Sequence, residues 1–303
     1  GGSGTLSLGT GGNLTINGGV SHQGNGTLQV SVGNDLNATG AITGSTGAVQ
    51  VTANGSATVG TVSTGGNGTL NVNANGNVTV GTVTSSAGAL TVQGGGTVTA
   101  TGPVTTGSGA LNVLGTNTVT TGVIRSTSGA IQVTSTNAAV STGAITTGNA
   151  GTLRVNAATT ATTGAVTTGT GAMTLTSGGT LTINGPATST SGNISATSAS
   201  GAVNTGTITT GSAGTLTVNA ASTATTGALT TATGAMTLSS GSTFTVNGTL
   251  QSTTGPISLQ GAGNVTTGAI QSTSGSVEMA SLTGTLTLPT VATTGTITLA
   301  GSA

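Results

Sequence analysis

The chain has 303 residues, with 57 Gly, 33% hydrophobic residues, a single Phe as its only aromatic, no Cys and a formal net charge of zero. Only Arg125, Arg154, Asp35 and Glu278 carry full charge, so there is no basic stripe for phosphates, no acidic face for cations and no thiolate for a disulfide or metal. Nucleic acid is thereby excluded as a partner, no metal or other cofactor is expected, and a surface this neutral is poorly protected against self-association.

Apolar residues recur in pairs spaced by one, which is strand periodicity. No stretch approaches the roughly 18 to 20 apolar residues needed to span a bilayer. The chain opens Gly-Gly-Ser-Gly without a charged, apolar, small-residue signal, so in a secreted protein the targeting region would have been removed or would lie outside this piece.

From the N-terminus onward, a Gly-x-apolar-x-apolar mark returns every 20, 21 or 22 residues. Its anchors are Leu6, Leu28, Val49, Leu70, Leu90, Leu111, Ile131, Leu153, Met173, Ile194, Leu216, Met236, Ile257, Val277 and Ile297. A second apolar column follows eight residues after each anchor, including Ala57, Val78, Ala139, Ala161, Ala202 and Phe244; in the last full coil Thr285 holds that place and Leu286 comes next. A third column pairs a glycine with an apolar residue two positions later: Gly40, Gly60, Gly81, Gly102, Gly122, Gly143, Gly164, Gly185, Gly206, Gly227, Gly248 and Gly268.

Three strands per turn and about 21 residues per turn suit an all-β, single-domain parallel β-helix, or β-solenoid, of about 14 coils running unbroken over residues 1–303. At one strand spacing per coil such a solenoid is a rod on the order of 70 Å long. The column glycines are expected at corners, where the backbone needs positive φ or has no room for a Cβ. Pro103, Pro186 and Pro256, each following a glycine, and Pro289, which replaces one, also fall at corners, where a missing N–H costs no ladder bond. Alternation turns the residue between two apolar marks outward, giving an exterior of stacked Thr, Asn and Gln around a narrow interior of Val, Ile, Leu and Ala. Residues 148–188 match 211–251, a three-coil duplication that keeps register.

Few residues suggest chemistry. Arg154 is outward and becomes Thr217 in the duplicate, while Arg125 interrupts a Thr column; both read as solvated surface. Asp35 and Glu278 lie about eleven coils apart and cannot form a catalytic carboxylate pair. His22 reads as an exposed corner histidine without a triad or metal-ligand partner, and Phe244 as core filler. Calcium-binding solenoids need an Asp in each repeat, and Gly94-Gly95-Gly96 lacks the helix and Lys of a phosphate loop. Asn-x-Ser/Thr sequons, such as those at Asn25 and Asn77, follow from composition. Thr146-Thr147, Thr167-Thr168 and Thr209-Thr210 admit ice binding, which needs a flat, regular, two-dimensional Thr array that Arg125, Gln251 and Gln271 interrupt, against the plainer reading that Thr favours strands and stacks on itself.

The repeats GAITTGNAGTLRVNA, GALTVQGGGTVTATG and GGTLTINGPATSTSG resemble the β-helical bodies of bacterial surface proteins: filamentous-haemagglutinin-like exoproteins, autotransporter passenger domains and giant β-strand-repeat adhesins. The resemblance implies secretion to the cell surface and a role in adhesion, biofilm or an extracellular fibre, and carries over no catalytic residue. The expected function is therefore structural and not enzymatic. Gly1–Thr5 and Gly301–Ala303 contain nothing bulky or charged to cover the terminal coils, so the expected partner is the protein itself, head to tail, or further coils of a longer chain. Surface glycans or ice are the alternative ligands of a binding module. A polysaccharide lyase or hydrolase on this fold would need clustered charges that four scattered ones do not supply.

Overall fold

The computed structural model describes residues 2–301, which are all-β with no helix. Three parallel sheets form a β-solenoid of about 14 coils, with roughly 21 residues per turn. Contacts divide the chain into two compact units, Gly1–Gly151 and Thr152–Ala303.

In the first unit each coil contributes a five-residue strand to the first sheet, such as Val49–Ala53, and three-residue strands to the second and third, such as Ala57–Val59 and Val62–Thr64. Coils pair like on like: Leu70 with Val49 and Leu90, Val78 with Ala57 and Val98, Val83 with Val62 and Val104. Each inward side chain therefore rests on its counterpart one strand spacing away, about 4.7–4.9 Å. Leu28, Val49, Leu70, Leu90 and Leu111 are 0% exposed and Ile131 1%. Burying one such side chain contributes about 1.5–3 kcal/mol, and only stacked neighbours on both sides can cover it so completely.

The second unit repeats the plan, with first-sheet strands from Leu153–Ala157 to Ile297–Ala300. Leu153, Met173, Ile194, Leu216, Met236 and Ile257 are buried in the same column. Phe244 is 0% exposed and stacks between Ala224 and Val265; the short Ala224 side chain leaves room for the ring. It is core, as its match to Leu181 implies.

The eight-residue offset of the second column fails at Ala139 and Ala202. Val140 and Val203 open those second-sheet strands and are buried, while the two alanines stay half-buried in the corner. In both coils, and in the coil of Leu286, the long strand ends in a serine followed by a four-residue corner. The Oγ atoms of Ser135, Ser198 and Ser281 accept the N–H groups of Ala138 (3.1 Å), Gly201 (2.9 Å) and Gly284 (3.2 Å). The same hydroxyls donate to the carbonyls of Asn117, Gly179 and Gly263 in the preceding coil. This clasp closes the longer corner on itself, and in the coils of Ser135 and Ser198 the one-residue slip keeps Val140 and Val203 inside.

A different device absorbs an extra residue between the third strand and the next first strand. Gly66, Asn149 and Ser212 are the positive-φ residues there, at 56°, 45° and 45°. Each lies in a connection one residue longer than that between Leu229–Thr231 and Met236–Ser240. A left-handed residue reverses the chain locally and takes up the added length.

Candidate functional site

The interior is not purely aliphatic. Alternation turns the last residue of each third-sheet strand inward, and from Thr64 onward that residue is Ser or Thr. Thr64, Ser85, Thr106, Ser126 and Thr147 are 1–4% exposed in the first unit, and Thr210 and Ser252 1–2% in the second. Their hydroxyls serve the glycine two residues before each anchor. Thr64 Oγ1 donates to the Gly47 carbonyl (2.8 Å), Thr147 Oγ1 to Gly129 (3.0 Å) and Ser252 Oγ to Gly255 (2.8 Å). The Gly88 carbonyl accepts from both Ser85 (2.8 Å) and Thr106 (3.1 Å).

These glycines form a ladder of their own. From Gly47 to Gly129, and again from Gly234 to Gly295, a Cβ on any rung would run into the backbone carbonyl of the rung before it. The expected corner glycines Gly40 to Gly268 form a second, looser column, all half-buried. None of those from Gly40 to Gly143, or from Gly185 to Gly268, has a left-handed φ. At these positions other than Gly122, lack of room, not positive φ, is what selects glycine.

The paired threonines are corrected by the same alternation. Thr147, Thr168 and Thr210 are each 1% exposed, so only Thr146, Thr167 and Thr209 face outward. The third-sheet array is one hydroxyl wide. Thr105 Oγ1 donates to Thr84 Oγ1 (3.2 Å) along it, and Arg125 stands exposed between Thr105 and Thr146.

His22 is not a corner residue. It ends the strand Val20–His22, level with Gly44, and is half-buried with a buried Nδ1 that has no hydrogen-bond partner. Asp35 is exposed at a corner, where side chains climb from coil to coil. Asn13 Oδ1 accepts from Asp35 N–H (3.2 Å), Asp35 Oδ1 from Ser56 N–H (2.7 Å), Ser56 Oγ from Asn77 N–H (3.2 Å), and Asn77 Oδ1 from Thr97 N–H (2.8 Å). The lone carboxylate is thus one rung of a backbone-capping ladder, and two of the sequon asparagines are others.

Arg154 and Glu278 are exposed on the first sheet of the second unit. Among the described residues no three His, Cys, Asp or Glu side chains gather to hold a metal ion, and no helix is long and apolar enough to cross a membrane. The larger open groove, of about 620 Å³, is floored by Ala292 and lined by Gln251, Gln271, Thr253, Thr273 and Thr294. Amides and hydroxyls there can exchange hydrogen bonds with a neutral ligand. Compared with known proteins, the chain matches no protein-family model, no curated protein and no solved structure.

Proposed function

We propose that this chain is a structural, non-enzymatic β-solenoid of the extracellular surface. It builds, or forms part of, a fibre, stalk or matrix filament by end-to-end stacking, with an adhesive or biofilm role, and its coils act as one continuous solenoid. The observation that carries this reading is where burial fails. The anchor column is 0–1% exposed from Leu28 to Val277, but Leu6 is 37% exposed and Ile297 and Leu299 are 45% and 51%. A further coil, whether from a second copy or from more of the same chain, would cover these residues and pair the open strand edges.

The matched columns support the same reading. Each coil presents the next with a copy of the surface it received, the condition for a head-to-tail contact to repeat without closing. Electron microscopy of the purified protein across a concentration series tests it. Filaments that lengthen with concentration are expected; short rods of one length at the highest concentration would sink the idea.

One observation favours a second reading, a glycan-binding adhesin. In the larger groove Gln251 and Gln271 pair in register, so two amides lie side by side beside the hydroxyls of Thr253 and Thr273. A glycan array run on wild type and on Gln251→Ala/Gln271→Ala separates the readings, since loss of a glycan signal in the variant would assign the groove to binding. Ice binding loses the two-wide third-sheet array it relied on.

A further inference from the structure

Two of the four charges share one column of one sheet. Arg154 and Glu278 both directly follow first-column anchors, Leu153 and Val277, and therefore occupy the same outward position in the first sheet of the second unit. Pairing in register connects them rung by rung: Arg154, Thr174, Ser195, Thr217, Thr237, Ser258, Glu278. Six strand steps separate the charges, about 29 Å, well beyond screening distance of each other in one chain. Between them lie only short hydroxyl side chains, with Thr217 at the midpoint.

We propose that this face is a lateral interface between two copies of the chain, related by a two-fold axis that runs parallel to the strands at the level of Thr217. That operation reverses coil order while keeping strand direction. Arg154 of each copy then faces Glu278 of the other, Thr174 faces Ser258, Ser195 faces Thr237, and Thr217 faces itself. A self-complementary patch of this kind is what an isologous dimer requires.

The opposite choice, with coil order kept, would bring like charges to the same level at both rims. That arrangement is repelled, so the pair of charges selects one orientation. The surface between the rims is neutral, with short hydroxyl side chains in this column and Asn156, Asn219 and Gln260 among the residues of the other outward column, so two faces can approach as stacked sheets do, about 10 Å apart. Seven strands of five residues cover about 570 Å² per copy, or about 1,100 Å² in all, at the lower end of specific interfaces. The interface is lateral, so it is independent of end-to-end stacking and would bind rods side by side in antiparallel pairs.

Charge reversal tests it. Wild type is expected to dimerise in sedimentation velocity at low salt, or, where filaments form, to show paired filament widths by negative stain. Arg154→Glu or Glu278→Arg alone is expected to weaken pairing about tenfold or more, by placing like charges at both rims. Both substitutions together restore it, and raising the salt weakens wild type and the double variant alike. Both side chains are exposed, so the fold is unaffected, and circular dichroism verifies this. A wild type that neither dimerises nor pairs, single variants as tight as wild type, or a double variant that fails to recover each overturns the proposal.

Discussion

Two glycine columns run through the solenoid, and they answer to different constraints. The ladder that precedes the anchors packs backbone on backbone: a Cβ at Gly88, Gly109 or Gly129 would lie closer than 3.0 Å to the carbonyl of the rung before, a separation real Cβ atoms essentially never show. The column between the second and third strands is uneven. A Cβ would find its nearest neighbour at 2.8 Å in Gly60, 2.9 Å in Gly143 and 3.7 Å in Gly122. The difference is one of uniformity: in the first column the neighbouring coil leaves no volume at these rungs, while in the second Gly122 has room although Gly40 to Gly102, Gly143 and Gly185 to Gly268 are crowded.

The sharpest way to break this contrast is Gly129→Ala. The obstructing atoms belong to Gly109 and Ser108 backbone, which cannot swing aside as a side chain would, so the coil must separate from its neighbour. Overpacking of this kind is expected to cost about 3 kcal/mol or more, read as a lowered midpoint in urea unfolding. An unchanged midpoint would show that the ladder has slack to admit the methyl.

Next in size is the hydroxyl column that serves the ladder. Thr64→Val removes the donor to the Gly47 carbonyl and is expected to cost about 1–2 kcal/mol, because the buried carbonyl loses its partner. Thr231 occupies the same position in a later coil and is 1% exposed, yet its Oγ1 has no hydrogen-bond partner. Thr231→Val replaces an orphaned hydroxyl with a methyl of the same shape and is expected to stabilise by about 1 kcal/mol. Opposite signs from one substitution at equivalent positions would be measured side by side in thermal melts; equal signs would mean the column acts through packing alone.

Much of the fold was legible in the residues because strand alternation has a period of two and the coil recurs at a nearly constant interval. Val49 and Leu70 read as inward and are. What escaped depends on closure in three dimensions. Ala139 and Val140 are neighbours in sequence, and only the Ser135 clasp decides which of them enters the core. Part of the signal was present, since Ser135, Ser198 and Ser281 each end a long strand five residues before the apolar residue that opens the next one, but Ser177 and Ser240 end long strands four residues before Leu181 and Phe244, so the serine alone does not mark the longer corner. The candidate interface was missed for a related reason. Arg154 and Glu278 each read as isolated surface charges, and their relation emerges only when both are numbered from their anchors.

The smallest effect sharpens the comparison from its permissive side. At Gly122 a Cβ would make ordinary contact with Gly102 at 3.7 Å, and φ is not left-handed there. Alanine therefore fits the native backbone, and its main action is on the unfolded chain, which has fewer conformations to lose on folding. Gly122→Ala is expected to raise stability by about 0.4–1 kcal/mol, seen as a small upward shift in the melting midpoint. Gly60→Ala provides the control within the same column, because its Cβ would meet the Thr39 carbonyl at 2.8 Å and the entropic gain would be opposed by strain. If both raise the midpoint equally, crowding is not what holds glycine in this column, and the corner would have to be explained by the chain's need to bend.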